Sequence, residues 1–195
     1  MRVELKERHR LYDGHFRLER ILLQFEQYDG GMSPKVERLV FERGDSAAVL
    51  LYNAAACTVT LVEQFRLPAY LREGENCRLL EVVAGTVDAE RSPESVAKSE
   101  LLEEAGYAVG KLEHVATFYP SPGAGTERIY LYLASVTPEG RVSAGGGVGP
   151  GEDLRVVELP LEEAMHLVAS GAIRDGKTII ALQHLWMRVN GARSE

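Results

Sequence analysis

The chain has 195 residues, 45% of them hydrophobic, which is enough to bury one full core and a small appendage. Its net charge of -7 leaves no basic footprint for nucleic acid, and it opposes anionic substrates unless local arginines or metal ions reverse the field. With only Cys57 and Cys77 there is no disulfide framework, so both cysteines read as buried small hydrophobes in a protein of the reducing cytoplasm.

The first stretch, MRVELKERHRLYDG, lacks the apolar run of a signal peptide, and no later stretch approaches transmembrane length, so no membrane partner is expected. Phe16–Phe25 and Val36–Phe41, broken by Asp29-Gly30-Gly31, read as a hairpin-like strand pair. A lone hairpin is marginal in water, so this arm of residues 1–44 must pack on its own catalytic domain or on a second subunit. From residue 45 onward the pattern is mixed α/β. Strands are expected at Ala47–Tyr52, Thr58–Phe65, Leu79–Val83, Leu112–Phe118, Ile129–Ala134 and Leu154–Leu159, and helices at Pro93–Ala105, Leu161–Ser170 and Asp175–Val189. The glycine-rich run Ala144–Gly151 reads as a mobile loop, and it lacks the lysine and Ser/Thr of a phosphate loop. Met165, Leu167, Ile179, Leu182, Leu185 and Trp186 recur at helical intervals and read as core. The five histidines, His9, His15, His114, His166 and His184, have no metal-ligand spacing, and no Ser-His-Asp arrangement is visible. Nucleophilic catalysis by the protein itself is therefore not expected.

The chemistry concentrates in Ser99-Glu100-Leu101-Leu102-Glu103-Glu104-Ala105-Gly106-Tyr107, where helical spacing sets Glu100, Glu103 and Glu104 within one turn. Like charges three or four residues apart repel by a few tenths of a kcal/mol, whereas a hard divalent cation wants clustered carboxylate oxygens and bridges them to substrate phosphates. The helix is well delimited: Ser92 is a good N-cap, Pro93 suits the first position, Glu94 favours the positive end of the dipole and Gly106 closes the C-terminus. Val96, Leu101 and Leu102 are expected to anchor it, leaving the three glutamates on another face.

Gly85, Glu100, Leu101, Glu103, Glu104, Gly106 and Tyr107 together resemble the Nudix signature, and from Gly85 to Tyr107 the spacing fits without a gap. Two positions depart from it: Arg91 stands where the pattern has its first Glu, and Ser99 where it has Arg. Both are charge-reversed or neutralised together, so an ion pair that braces the loop on the helix is expected to be missing as a unit, with lower rigidity and intact chemistry. The resemblance extends from about Arg43 to Trp186 through Gln64-Phe65-Arg66, Glu81–Gly85, Ser121-Pro122-Gly123, Gly145-Gly146-Gly147 with Glu152-Asp153, and Arg174–Thr178. These are similar to the nucleoside-diphosphate-sugar branch, which includes ADP-ribose and GDP-mannose pyrophosphatases.

The resemblance implies an α/β fold, a Nudix α/β/α sandwich with a mixed sheet, preceded by the small antiparallel β arm. It implies Mg²⁺, or Mn²⁺ in its place, held by Glu100 and Glu104 directly, by Glu103 directly or through water, and by the backbone carbonyl of Ala84. Glu152 is expected to be the loop base or extra ligand, completing a catalytic set with Glu103 and Glu104, and Asp153 is its alternative. Substrate contacts are expected from Arg66, from Arg43 on the arm, from Ser121, Pro122, Gly123 and Glu127 at the nucleoside loop, and from Lys177 at the sugar end. The implied reaction is hydrolysis of the diphosphate of a nucleoside diphosphate sugar, ADP-ribose or GDP-mannose, in a homodimer. Dinucleotides or oxidised nucleotides as substrates, and a non-catalytic nucleotide-sugar sensor, are the alternatives.

Overall fold

The computed structural model describes residues 1–75, 77–149 and 151–191. Pro150 of the glycine-rich run lies outside them. The chain divides into two units, Met1–Asp45 with Tyr119–Arg128, and Ser46–Phe118 with Ile129–Glu195.

The first unit is a three-stranded antiparallel sheet in the order β1 (Val3–Asp13), β2 (Arg17–Phe25), β3 (Val36–Glu42). The strand pair expected from sequence is β2–β3; β1 is an addition to it. Its pairing with β2 slips between Leu5 and Glu7 and again between Arg10 and Tyr12. Each bulge reverses which face the following residues occupy, so the alternation that announces a strand is broken twice within eleven residues. All of β1 is exposed. The turn from Ser121 is stitched to β3: the Ser121 carbonyl accepts from the Ala124 and Gly125 N–H groups, and Phe41 exchanges hydrogen bonds with Ala124 and Thr126.

The second unit is built on a mixed seven-stranded sheet flanked by helices. Its strands are β4 (Ser46–Asn53), β5 (Thr58–Phe65), β6 (Arg78–Glu81), β7 (Val83–Thr86), β8 (Glu113–Phe118), β9 (Ile129–Ser135) and β10 (Leu154–Pro160). The main path is β10-β5-β4-β9-β8, with β4 and β9 parallel. β4 and β5 pair only near their hairpin, Leu51–Asn53 against Thr58–Thr60. Beyond it they diverge, and β6 pairs with β5 while β7 pairs with β4. The expected single strand Leu79–Val83 is therefore two short ones, because the chain changes partner at Val82.

Alternation along β4 divides the core into two layers. Ala47, Val49 and Leu51 face the layer with Val96, Ala97, Leu101 and Ala105 of helix α2 (Pro93–Ala105). Ala48, Leu50 and Tyr52 face the layer with Leu161 and Ala164 of α3 (Leu161–Ala169) and Ala181, Leu182 and Leu185 of α4 (Gly176–Gly191). Leu182 and Leu185 are fully buried, and Met165, Leu167, Ile179 and Trp186 pack against them, as their spacing predicts. A short helix α1 (Leu67–Glu73), with Pro68 in its first turn, was not expected from sequence and buries none of its residues. The cysteine expectation is corrected: Cys57 is exposed in the β4–β5 turn at φ 54° and Cys77 is half-buried, and both are free thiols. No helix among the described residues is long and apolar enough to cross a membrane.

Candidate active site

Helix α2 starts and stops where its end residues dictate. Ser92 Oγ accepts from the Ser95 N–H at 3.2 Å, Pro93 takes the first turn, and Gly106 closes the helix at φ 76°. At about 100° per residue, Glu100 and Glu104 lie inside the arc bounded by Val96 and Leu101, which is the arc the sheet covers. The three glutamates thus do not share a free face. Glu104 is 8% exposed, Glu100 and Glu103 are half-buried, and Leu102, expected to anchor the helix, is 45% exposed.

Glu104 Oε2 accepts the Ala84 N–H at 3.3 Å, which joins the helix to β7. Burial, then the Glu100 charge, pushes the Glu104 carboxyl up to about 8. Glu100 is raised as well, by burial and then by Glu103 and Glu152. Gly85 is what lets Glu100 come so close to β7: a Cβ there would fall 2.1 Å from Glu100 Oε1.

The glycine-rich run does more than move. The last carbonyls of a helix have no partner within it, and here the run supplies them: Gly146 donates to the Glu104 carbonyl at 2.8 Å and Gly147 to the Glu103 carbonyl at 3.1 Å. Gly145 sits at φ 70°, where a Cβ would lie 2.4 Å from the Glu104 carbonyl oxygen. From this anchorage the chain reaches Glu152, whose Oε2 accepts from Gly149 at 2.7 Å and Val148 at 2.8 Å. Those two N–H groups hold Glu152 below the usual carboxylate range. Its charge raises both Glu100 and Glu104, so one electrostatic neighbourhood contains all three. Asp153 is 89% exposed and pairs with Arg78 at 3.5 Å.

No three His, Cys, Asp or Glu side chains among the described residues stand together at metal-holding distance. The donor set nonetheless fits a hard divalent cation: it consists of carboxylate oxygens, two of them driven toward protonation by burial and mutual repulsion, beside the backbone of Ala84. The residues that would hold the ion are Glu100, Glu104 and the Ala84 carbonyl, with Glu103 and Glu152 adjoining.

Arg91 and Ser99 do lack the signature ion pair, and the loop before α2 is closed in another way. Asp88 accepts the Arg91 and Glu90 N–H groups at 2.8 and 3.0 Å and the Arg91 Nε at 2.6 Å.

Arg66 follows β5 and forks onto Glu81, Nε to Oε1 at 2.5 Å and Nη2 to Oε2 at 2.8 Å. Lys177, in the first turn of α4, reaches Glu81 Oε2 at 2.5 Å and Asp175 Oδ1 at 3.0 Å. Burial pushes the Glu81 carboxyl up, and Arg66 and Lys177 outweigh it, so the group is held below its ordinary value. Arg66 also feels the charge of Glu104, which joins this cluster to the carboxylates of α2. Asp175 caps α4, accepting from Thr178 N at 3.0 Å and Thr178 Oγ1 at 2.5 Å. Sequence reasoning missed Glu81, although an acid inside Leu79-Leu80-Glu81-Val82-Val83 is itself a signal, because a charge in an apolar run needs a partner.

Arg43, Ser121, Pro122, Gly123 and Glu127 all belong to the first unit. There Arg43 Nη1 lies 3.5 Å from Glu127 Oε2, and its guanidinium carbon 5.7 Å from the centre of the Phe16 ring.

Residues 42–182 match the NUDIX domain. A GDP-mannose pyrophosphatase of Pectobacterium atrosepticum is 41% identical over 95% of this chain and 95% of its own length. A GDP-mannose pyrophosphatase of Escherichia coli is 39% identical over 91% of each. A solved structure described as an ADP compounds hydrolase superposes with a TM-score of 0.72 at 18% identity, covering 98% of this chain and 97% of that one, which is a likeness of fold. With a match spanning both strand pairs around Ala84, helix α2 and the start of α4, the chain belongs to the Nudix family.

Proposed function

We propose that this protein is a Mg²⁺-dependent pyrophosphatase that splits a nucleoside diphosphate sugar into a nucleoside monophosphate and a sugar phosphate, with GDP-mannose as its preferred substrate. The observation that carries the reading is the placing of Glu104 and Glu100 of α2 against the backbone of Ala84 and Gly85, with the charge of the loop residue Glu152 felt by both. The choice of sugar nucleotide is supported by relatives near 40% identity over nearly the whole chain whose names carry GDP-mannose.

A diphosphate resists hydrolysis because its charged oxygens repel a nucleophile. When bound, Mg²⁺ offsets that charge and acidifies a coordinated water. The chain's own residues do the remaining work. Glu152 is held ionised by two backbone N–H groups, so it is ready to accept the water proton at Oε1, its oxygen without a backbone donor. Arg66 presents a guanidinium beside the carboxylates for the phosphate oxygens, and Lys177 an ammonium for the sugar end.

We also infer a homodimer formed through the arm of residues 1–44, supported by the exposure of every residue of β1, Leu5, Leu11 and Tyr12 among them. A cytoplasmic home is supported by the two free thiols. The test is a panel of GDP-mannose, ADP-ribose, other nucleotide sugars and dinucleotides, with and without Mg²⁺, scored by release of monophosphate. GDP-mannose should give the highest kcat/KM, and a panel without Mg²⁺-dependent release would overturn the reading.

A further inference from the structure

Glu81 is 2% exposed and ends β6, in a run where an apolar residue would pack better. Burying a carboxylate is costly unless its oxygens are fully engaged. Both are, by cations from elements distant in sequence: Arg66 from the end of β5 and Lys177 from the first turn of α4. The same junction is pinned a second time, since Thr178 Oγ1, itself bonded to Asp175, accepts the Val82 N–H at 2.8 Å. The cluster of Arg66, Lys177, Glu81 and Asp175 is neutral as a whole. It therefore adds no net charge to the site, and what Glu81 contributes is the placement of the two cations. Arg66 commits two of its five donors to Glu81 and retains the rest. Lys177, its side chain 12% exposed, is held by two carboxylates. Two long side chains that would otherwise sample many rotamers are thereby ordered on folding and not at substrate binding.

We propose that Glu81 is a positioning residue for substrate: it fixes the separation between the Arg66 guanidinium and the Lys177 ammonium, so that one meets the diphosphate and the other the sugar of the same molecule. The proposal rests on the pyrophosphatase reading above. It makes Glu81 a determinant of affinity for the whole nucleotide sugar, acting only through the two cations.

Steady-state kinetics with GDP-mannose and Mg²⁺ on Glu81→Gln and Glu81→Asp test it. Glu81→Asp keeps the charge and withdraws the carboxylate by one methylene, so it carries the test should Glu81→Gln fail to fold. KM should rise about tenfold or more with kcat within about threefold of wild type. In a chain already carrying both Arg66→Ala and Lys177→Ala, either Glu81 change should alter KM by less than about twofold, because the groups it acts through are gone. An unchanged KM in the folded variant, a loss confined to kcat, or an effect that multiplies undiminished onto the double-alanine background would overturn the proposal, the last pointing to a merely structural role. Turnover by the wild type decides the reading beneath it separately.

Discussion

The raised carboxyl of Glu104 sets a pH dependence of definite sign. Unfolded, its carboxyl titrates near 4.5; folded without metal it titrates at about 8. Below the lower value both states hold the proton, so this contribution to stability is fully present. Between the two only the folded chain holds it, and the contribution is lost as pH rises through about 8. Melting temperatures of chelator-treated protein from mildly acidic to mildly alkaline pH should therefore fall more steeply for wild type than for Glu104→Gln, and Mg²⁺ should restore wild type most at the alkaline end. Equal slopes would remove Glu104 from the site. Glu81 has the opposite sign: its lowered carboxyl contributes stability above its ordinary value and loses it on acidification. In kinetics, Glu104→Gln and Glu152→Gln should each reduce kcat by about a hundredfold or more. Near-normal turnover by Glu152→Gln beside an inactive Glu104→Gln would end the assignment of Glu152 as base. Gly85→Ala tests the close approach, because its Cβ would meet Glu100 Oε1. It should lower kcat through a displaced carboxylate while costing about 1–3 kcal/mol of stability, read from denaturant unfolding.

At the scale of elements, helix α2 and the glycine-rich run act as one device: the run caps the helix that bears Glu100 and Glu104, then delivers Glu152 beside them. Gly145→Ala should demonstrate the coupling. It places a Cβ at positive φ and against the Glu104 carbonyl, so it should cost about 1–3 kcal/mol and also depress kcat, although residue 145 bears no chemistry of its own. Unfolding midpoints and turnover measured on one preparation separate the two effects. The helix was legible in sequence to the residue because Ser92, Pro93 and Gly106 are local signals with local causes. Its buried arc was not. Counting apolar residues placed Leu102 inside and Glu104 outside, whereas the sheet covers the side bearing Val96, Ala97 and Leu101, and Glu104 goes with them. Likewise the split between β6 and β7 depends on which strand the chain pairs with at each residue, and Leu79–Val83 reads as one apolar run whichever partner it has. β1 was hidden by its own bulges. Glu152 is expected in the site because a glycine run before an acid resembles a family pattern, but the run's service to the helix end follows only from tertiary hydrogen bonds.

For the molecule as a whole, the family and the sandwich were legible because the signature spacing, the capped helix and the mixed α/β pattern agree with one another. Association remains a property of surfaces. The arm's outer strand exposes Leu5, Leu11 and Tyr12 along an unpaired edge, so light scattering at micromolar concentration should give twice the mass of one chain. A monomer there would remove the arm from assembly without touching the chemistry. The proposed chemistry would require the crowded carboxylates of Glu100 and Glu104 to hold a divalent cation at the diphosphate. The most direct test is to incubate wild type and Glu104→Gln with GDP-mannose, with and without Mg²⁺, and quantify GMP and mannose 1-phosphate by ion-exchange chromatography. Equal amounts of the two products from wild type with Mg²⁺ alone, and almost none from Glu104→Gln, are the expected result. Product formed at the same rate without the metal, or undiminished by the substitution, would contradict it.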